Sequence, residues 1–310
     1  VTISARTPMS GWTRRAGSSS TPTGRVTAAI PQRGHTMREY KLVALDLDGT
    51  LLDSGKQLSA KNAAALRRAF EGGAQIVPTT GRFFDGMPQA IRELPYLRYA
   101  ITINGAQVLD IGSGEVLYRA ELPLAQALAI LEYLDTLPVI YDCYCGSWGW
   151  ITRAMQDAAP QIISDVHSLR MVQELRTPVD ELKAYLCARG DDVQKIQLFL
   201  QDVSQRPAVM AELARRFPGT AASTSLPNNI EINAAAANKG DAVRALAAHL
   251  GIPIEKTISF GDGSNDLSMI RACGLGVAMA NACPAVLAAA DRVTTSCDES
   301  GVAAVLNELF

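Results

Sequence analysis

Nowhere in the 310 residues do apolar side chains run together for the ~18–20 positions that a bilayer-spanning helix needs. The most apolar window, Leu275 to Ala290, is broken by Asn281 and Pro284 and reads as a buried strand followed by a helix. Neither sign of charge dominates. Lys and Arg number 29 against 31 Asp and Glu, a net charge of −2, so nothing points to nucleic acid or an anionic membrane as a partner. Histidine is scarce, and His35, His167 and His249 stand too far apart to be given a role. The six cysteines (Cys143, Cys145, Cys187, Cys273, Cys283 and Cys297) include no CxxC pair. That argues against a zinc site and a disulfide framework and fits packing thiols in a reducing cytosol. The GxxxxGK[ST] phosphate loop, the Gly-x-Ser-x-Gly elbow and His-Glu-x-x-His are all missing.

The first 36 residues lack acidic residues and lysine altogether but hold five arginines among Ser, Thr, Gly and Pro. The composition resembles a transit peptide, and equally translated upstream sequence or a cloning scar. A disordered, non-functional extension over 1–37 is expected, with Met37 as a natural start.

What remains is 48% apolar and long enough for a large core or two. Leu42-Val43-Ala44-Leu45 reads as a parallel strand buried on both faces. Ser59 reads as the N-cap of a helix from Ala60 to Phe70 that stops at Gly72-Gly73, and Ala74 to Pro78 as a second strand. A helix near Met87 to Glu93, a strand at Tyr99 to Ile103 and a hairpin over Gln107 to Tyr118 follow. The middle changes character. A helix from Leu124 to Leu137 precedes strands at Val139 to Cys145 and Trp148 to Thr152, joined by a Gly146-Ser147 turn. Then come a strand at Lys195 to Leu200, a helix at Arg206 to Phe217, and strands at Thr220 to Leu226 and Asn229 to Asn233. Strand–helix alternation resumes after Glu231 with a helix from Lys239 to Leu250, a strand at Thr257 to Phe260, a helix at Leu267 to Ala272, and so on to a closing helix at Gly301 to Leu309. The pattern predicts a doubly wound, parallel-sheet α/β core (38–121 and 226–310) with an inserted α+β cap (122–225).

Four ordered stretches carry the chemistry. Asp46-Leu47-Asp48-Gly49-Thr50 follows the first strand. In an open α/β sheet ligands bind beyond the carboxyl ends of the strands, and Gly49 lets the chain turn so that both carboxylates can face one site. One can attack phosphorus while the other handles protons. A calcium loop does not fit, because Leu51 and Gln57 stand where Gly and Glu are required. Thr80-Gly81-Arg82 follows the second strand. The Thr80 hydroxyl and nearby N–H groups can donate to phosphoryl oxygens, and Arg82 can grip a phosphate or carboxylate with two N–H groups. Lys239 opens a helix, where a cation is disfavoured by the helix dipole unless an anion faces it. Gly261-Asp262-Gly263-Ser264-Asn265-Asp266 ends a strand with an oxygen-rich turn suited to a hard cation.

On these residues the chain resembles the haloacid dehalogenase-like phosphohydrolases, in particular the Cof-type branch of subclass IIB. Ile103-Asn104-Gly105-Ala106, Met279-Ala280-Asn281-Ala282 and Glu299-Ser300-Gly301-Val302-Ala303 match as well. One departure is the alanine-rich segment between Asn233 and Asn238. The resemblance implies Asp46 as the nucleophile and Asp48 as acid and base, its backbone carbonyl also on Mg²⁺. It implies Thr80 and Lys239 as catalytic partners, and Asp262 as a direct Mg²⁺ ligand with Asp266 and Asn265 in support. Thr80, Gly81, Arg82 and Asn104 would bind substrate. The implied activity is a cytoplasmic, Mg²⁺-dependent phosphatase acting through an aspartyl-phosphate on a small phosphorylated metabolite. Sugar phosphates are the leading class, with flavin and pyridoxal phosphates as alternatives. A phosphomutase would use the same residues. A non-catalytic regulator would lack one of the carboxylates, and none is lacking. Specificity should reside in the cap, with Asp142, Tyr144, Trp148, Trp150 and Arg153 as candidates.

Overall fold

The structure, a computed structural model, describes residues 39–310; the expected N-terminal extension lies outside the described residues. The chain enters the core at β1 (Leu42–Leu45), whose four side chains are fully buried. Burial on both faces is what an uninterrupted apolar tetrapeptide requires. Val43 and Leu45 pack against α1 (Ala60–Glu71), while Leu42 and Ala44 face the opposite layer. Ser59 caps α1 by accepting a hydrogen bond from the Asn62 N–H. β2 (Gln75–Pro78) pairs parallel with β1. A short α2 (Gln89–Arg92) leads to β3 (Tyr99–Thr102), β4 (Gln107–Asp110) and β5 (Val116–Arg119). These three form a separate antiparallel sheet, joined to the main one by a single bridge between Thr79 and Ile101.

The inserted part runs through α3 (Leu124–Leu134), β6 (Val139–Cys145), β7 (Trp148–Thr152), α4 (Arg153–Ile162), α5 (Val166–Glu174), β8 (Arg176–Val179), α6 (Leu182–Arg189), β9 (Lys195–Leu200), α7 (Arg206–Arg216), β10 (Thr220–Ser223) and β11 (Asn229–Ala234). Its six strands form one sheet in the order β10-β11-β9-β6-β7-β8. β11 pairs with β9, so the sheet continues past residue 225, where the insert was expected to end. Residues 153–194, which carried no expected element, supply α4, α5, β8 and α6. One face of the sheet packs Cys143, Ile196, Leu198 and Ile232 against helix residues such as Leu131, Leu186 and Leu213. The other face carries Asp142, Tyr144, Lys195, Gln197 and Glu231, and all five are buried.

The chain returns through α8 (Lys239–His249), β12 (Thr257–Gly261), α9 (Leu267–Ala272), β13 (Leu275–Ala278), α10 (Pro284–Ala289), β14 (Arg292–Val293) and α11 (Gly301–Leu309). The parallel sheet has the order β14-β13-β12-β1-β2. From β1 the chain moves to one side of the sheet and from β12 to the other. The crevice between their carboxyl ends is therefore the topological switch point, where α/β sheets bind ligands. α8 and α9 cover one face, α1 and α11 the other.

Asn62 ties these layers together. It is fully buried in α1, its Nδ2 donates to the Leu51 carbonyl (2.9 Å) and its Oδ1 accepts from the Ala303 N–H in α11 (3.0 Å). Asn62→Ala orphans a buried acceptor and a buried donor at once. Urea unfolding of the variant should show a loss of about 2–4 kcal/mol; a loss below about 1 kcal/mol would contradict this role.

Candidate active site

Asp46 begins immediately after β1, with its N–H donating to the Phe260 carbonyl on β12 (3.0 Å). Its side chain therefore sits at the switch point. Lys239, the first residue of α8, places Nζ 2.6 Å from Asp46 Oδ1 and 2.6 Å from Asp266 Oδ1. The ammonium is fully buried. Burial opposes its charge, but Asp266 and Asp46 more than offset that and hold it protonated well above the ordinary lysine range. The two carboxylates likewise overcome the unfavourable helix dipole at this position.

Asp266 is held at both oxygens. Oδ1 accepts from Lys239, and Oδ2 accepts from the backbone N–H groups of Asp262 and Gly263, each at 2.9 Å. Asp262 Oδ1 accepts from the Thr50 hydroxyl (2.8 Å). Asp46, Asp262 and Asp266 each bring a carboxylate oxygen to within 4.8 Å of the others. Three carboxylates face one ammonium, so negative charge is left uncompensated. Burial, with the Asp46–Asp266–Asp262 repulsion, pushes Asp46 upward despite Lys239, and burial with Asp266 pushes Asp262 up to about 6. A close set of hard oxygen donors with surplus negative charge fits a small divalent cation such as Mg²⁺. Of the three, Asp262 has most freedom to ligate, because both Asp266 oxygens are engaged within the protein.

Gly49 explains how Asp48 joins the same site. It adopts φ +88°, and a Cβ there would lie 2.5 Å from Asp262 Oδ2. Only glycine permits both the turn and the approach of the Asp262 loop. Asn281, which the sequence reading gave no role, donates to the Gly49 carbonyl (2.8 Å) and pins this turn. Asp48 is gripped by Arg82 through two N–H groups (2.7 and 2.8 Å) and by Lys56 (2.9 Å). Burial alone would raise its pKa, but the Arg82 and Lys56 charges hold it far below the usual carboxylate range. Thr80 is buried, and its Oγ1 accepts from the Arg82 N–H (3.2 Å), leaving the hydroxyl proton to donate.

Above these residues lies a cavity of ≈ 540 Å³. Its floor includes Asp46, Asp48, Thr80, Gly81, Arg82, Asp262, Asn265 and Asp266, and the cap lines it with Tyr144, Lys195, Gln197 and Glu231. Asn104, expected on the substrate, is not in this lining. It is buried, with Nδ2 donating to Glu231 and Oδ1 accepting from Asn265. Of the five specificity candidates only Tyr144 faces the cavity; Asp142 is buried against Arg176 (3.2 Å), and Trp148, Trp150 and Arg153 lie elsewhere. Gln197 was missed, although Lys195-Ile196-Gln197-Leu198-Phe199-Leu200 alternates in character and so marks a strand with one face set apart. Lys56 gave no sequence signal.

A family model described as haloacid dehalogenase-like hydrolase matches residues 43–306. The chain belongs to this family. Among similar proteins, the phosphatase YwpJ of Bacillus subtilis is 31% identical over 289 residues, covering 87% of this chain and all of YwpJ. The HMP-PP phosphatase of Cronobacter sakazakii is 31% identical, with coverage of 80% of this chain and 87% of that enzyme. A solved haloacid dehalogenase-like hydrolase from B. subtilis superposes with TM-score 0.75 at 30% identity, over 87% of this chain and all of the other. A subclass IIB sugar phosphatase shares the fold at TM-score 0.71 and 22% identity, over 86% of this chain and 98% of that one. As a Cof-type member, this chain is a phosphoric monoester hydrolase.

The raised Asp262 pKa gives the carboxylate set a testable pH dependence. A cation must displace whatever proton Asp262 carries. Calorimetric Mg²⁺ affinity should be level well above pH 6 and fall by about tenfold per pH unit well below it; an affinity unchanged between pH 7 and pH 5 would contradict the assignment.

Proposed function

We propose that this haloacid dehalogenase-like hydrolase is a Mg²⁺-dependent phosphatase that acts on small phosphorylated metabolites, sugar phosphates foremost, through a phosphoryl group carried on Asp46. The observation that carries the reading is Lys239 bound to both Asp46 and Asp266 beneath an enclosed cavity whose roof is polar. Asp262, with Asp46 and the turn around Asp266, would hold the ion. Bound there, Mg²⁺ would neutralise phosphoryl oxygens and help orient them for in-line attack.

The protein's own groups supply the rest. Lys239 keeps Asp46 ionised and fixed in direction, so its free oxygen can attack phosphorus. The bond from Asp46 oxygen to phosphorus forms as the bond to the leaving oxygen breaks. Thr80 donates its hydroxyl to a phosphoryl oxygen. Arg82 and Lys56, which grip Asp48 in the structure, are also the cations a phosphate dianion would draw toward itself. Freed from them, Asp48 is a buried carboxyl whose pKa rises. It then passes a proton to the leaving oxygen, and in the second half takes one from the water that attacks the phosphorus, restoring Asp46 and releasing phosphate.

The roof explains a preference for hydroxylated leaving groups. Gln197 is buried and lines the cavity, and its Nε2 has no partner among the described residues. An unpaired buried donor favours a ligand that offers an acceptor. We place the enzyme in the cytosol, on the strength of its six free thiols.

Phosphate release from a panel of phosphorylated metabolites tests the reading. It should require Mg²⁺, vanish with chelator, and fall by at least about a thousandfold in Asp46→Asn. Release that survives in Asp46→Asn would overturn the nucleophile; conversion of a substrate to its isomer without phosphate release would favour a mutase. On the best substrate, Gln197→Leu should raise KM by about three- to tenfold with kcat little changed. An unchanged KM would remove Gln197 from the leaving-group contact.

A further inference from the structure

A continuous chain of buried hydrogen bonds links the cation loop to the phosphoryl loop, and it passes through the cap. Asn265 Nδ2 donates to Asn104 Oδ1 (3.1 Å). Asn104 Nδ2 donates to Glu231 Oε2 on β11 (2.8 Å) and to Asn233 Oδ1 (3.2 Å). Lys195 on β9 donates to Glu231 Oε1 (2.9 Å) and to the Gly81 carbonyl (2.8 Å). Asn265 and Gly81 belong to the core floor, whereas Lys195, Glu231 and Asn233 stand on the cap sheet.

Asn104 is the junction, and its backbone is built for that position. Its N–H donates to the Thr80 carbonyl (3.0 Å), and the N–H of Ile103 donates to the Arg82 carbonyl (2.9 Å). Ile103 and Asn104 both have positive φ, at 54° and 60°. A β-branched residue there is a true outlier and persists only where the surroundings over-determine it. Gly105 follows at φ +93°, and a Cβ on it would lie 2.3 Å from the Asn238 carbonyl that precedes Lys239. The strained turn is thus wedged among the phosphoryl loop, the start of α8 and the cap strand β11.

Lys195 and Glu231 are a buried ion pair whose remaining bonds come from the core. Each charge is fully satisfied only while the cap rests on Gly81 and Asn104. A buried pair left without its partners is strongly disfavoured. With Nδ2 of Asn265 engaged by Asn104, Oδ1 is the atom Asn265 can offer toward the cation loop. We propose that Lys195, Glu231 and Asn104 form a closure latch: docking of the cap orients Asn104, and through it Asn265, so that the cation site is completed only when the cap is down. The three are positioning residues, and the latch rests on the phosphatase reading only for its catalytic consequence.

Direct binding of Mn²⁺, followed by loss of the free-ion electron paramagnetic resonance signal in the absence of substrate, tests this without recourse to activity. Glu231→Gln, Lys195→Met and Asn104→Ala should each raise the Mn²⁺ Kd by about five- to tenfold. The double variant Glu231→Gln/Asn104→Ala should be no weaker than the worse single variant, within about twofold, because both break one chain. Gln197→Leu, on the same cap face but outside the chain, should leave Kd unchanged. Thermal melts identify any variant that fails to fold, and two cap variants keep the test open if one is lost. Unchanged Kd in the folded cap variants, multiplicative effects in the double variant, or no Mn²⁺ binding by the parent protein each overturns the latch. The expected pattern in a protein that releases no phosphate would leave the latch standing and remove the phosphatase reading instead.

Discussion

One buried ammonium sets the terms for the rest of the molecule. Lys239 lies between Asp46 and Asp266, with Asp262 beside them, and it neutralises only one of three carboxylates. Buried charge that is unpaired is intolerable unless something of opposite sign arrives. The site is therefore incomplete by construction and asks for a divalent cation. Next to it the balance runs the other way, because Asp48 faces two cations, Arg82 and Lys56. A phosphate dianion meets a positive surplus on one side and the cation's place on the other. The arrangement discriminates by charge before any shape is read.

The fold exists in the form that makes this possible. β1 delivers Asp46 and β12 delivers Asp262 at adjacent strand ends, because the chain leaves those two strands in opposite directions. Lys239 comes from α8, whose apolar face packs Val243 and Leu246 against Leu42 and Ala44 of β1. Burial of those side chains fixes the helix start within reach of the nucleophile. The cap adds a roof whose polar face is buried only because it closes over the site. A sheet with five buried polar side chains on one face makes little sense without a partner surface and a ligand.

Much of the core could be read in the amino-acid sequence. A fully apolar tetrapeptide followed by Asp-x-Asp-Gly can hardly be anything but a buried strand ending in a reactive turn, and the helix starts at Ser59 and Asn238 announce themselves by their caps. Residues 153–194 were opaque for physical reasons. α4 contains Pro160 and β8 is a four-residue strand with two of its residues only half-buried, so neither shows a clean period. The cap's inward face was partly legible. Asn229-Ile230-Glu231-Ile232-Asn233 alternates polar and apolar, which marks one face for burial in apolar surroundings and the other for something different. What alternation cannot give is which sheet a strand joins, and so β11 fell on the wrong side of the expected boundary at 225. Aromatic content drew attention to Trp148 and Trp150, when the parity of β6 and β9 selects Tyr144, Lys195 and Gln197. The grip of Lys56 on Asp48 depends on a loop turn with positive φ and had no counterpart in any motif.

The central claim is that Asp46, steadied by Lys239, carries the phosphoryl group. The most direct test is to quench the enzyme in acid during turnover of its best substrate and map the covalently bound phosphate by peptide mass spectrometry. The account predicts an acyl phosphate on Asp46, absent from Asp46→Asn. Phosphate found on another residue, or hydrolysis with no labelled protein at any quench time while turnover proceeds, would contradict it.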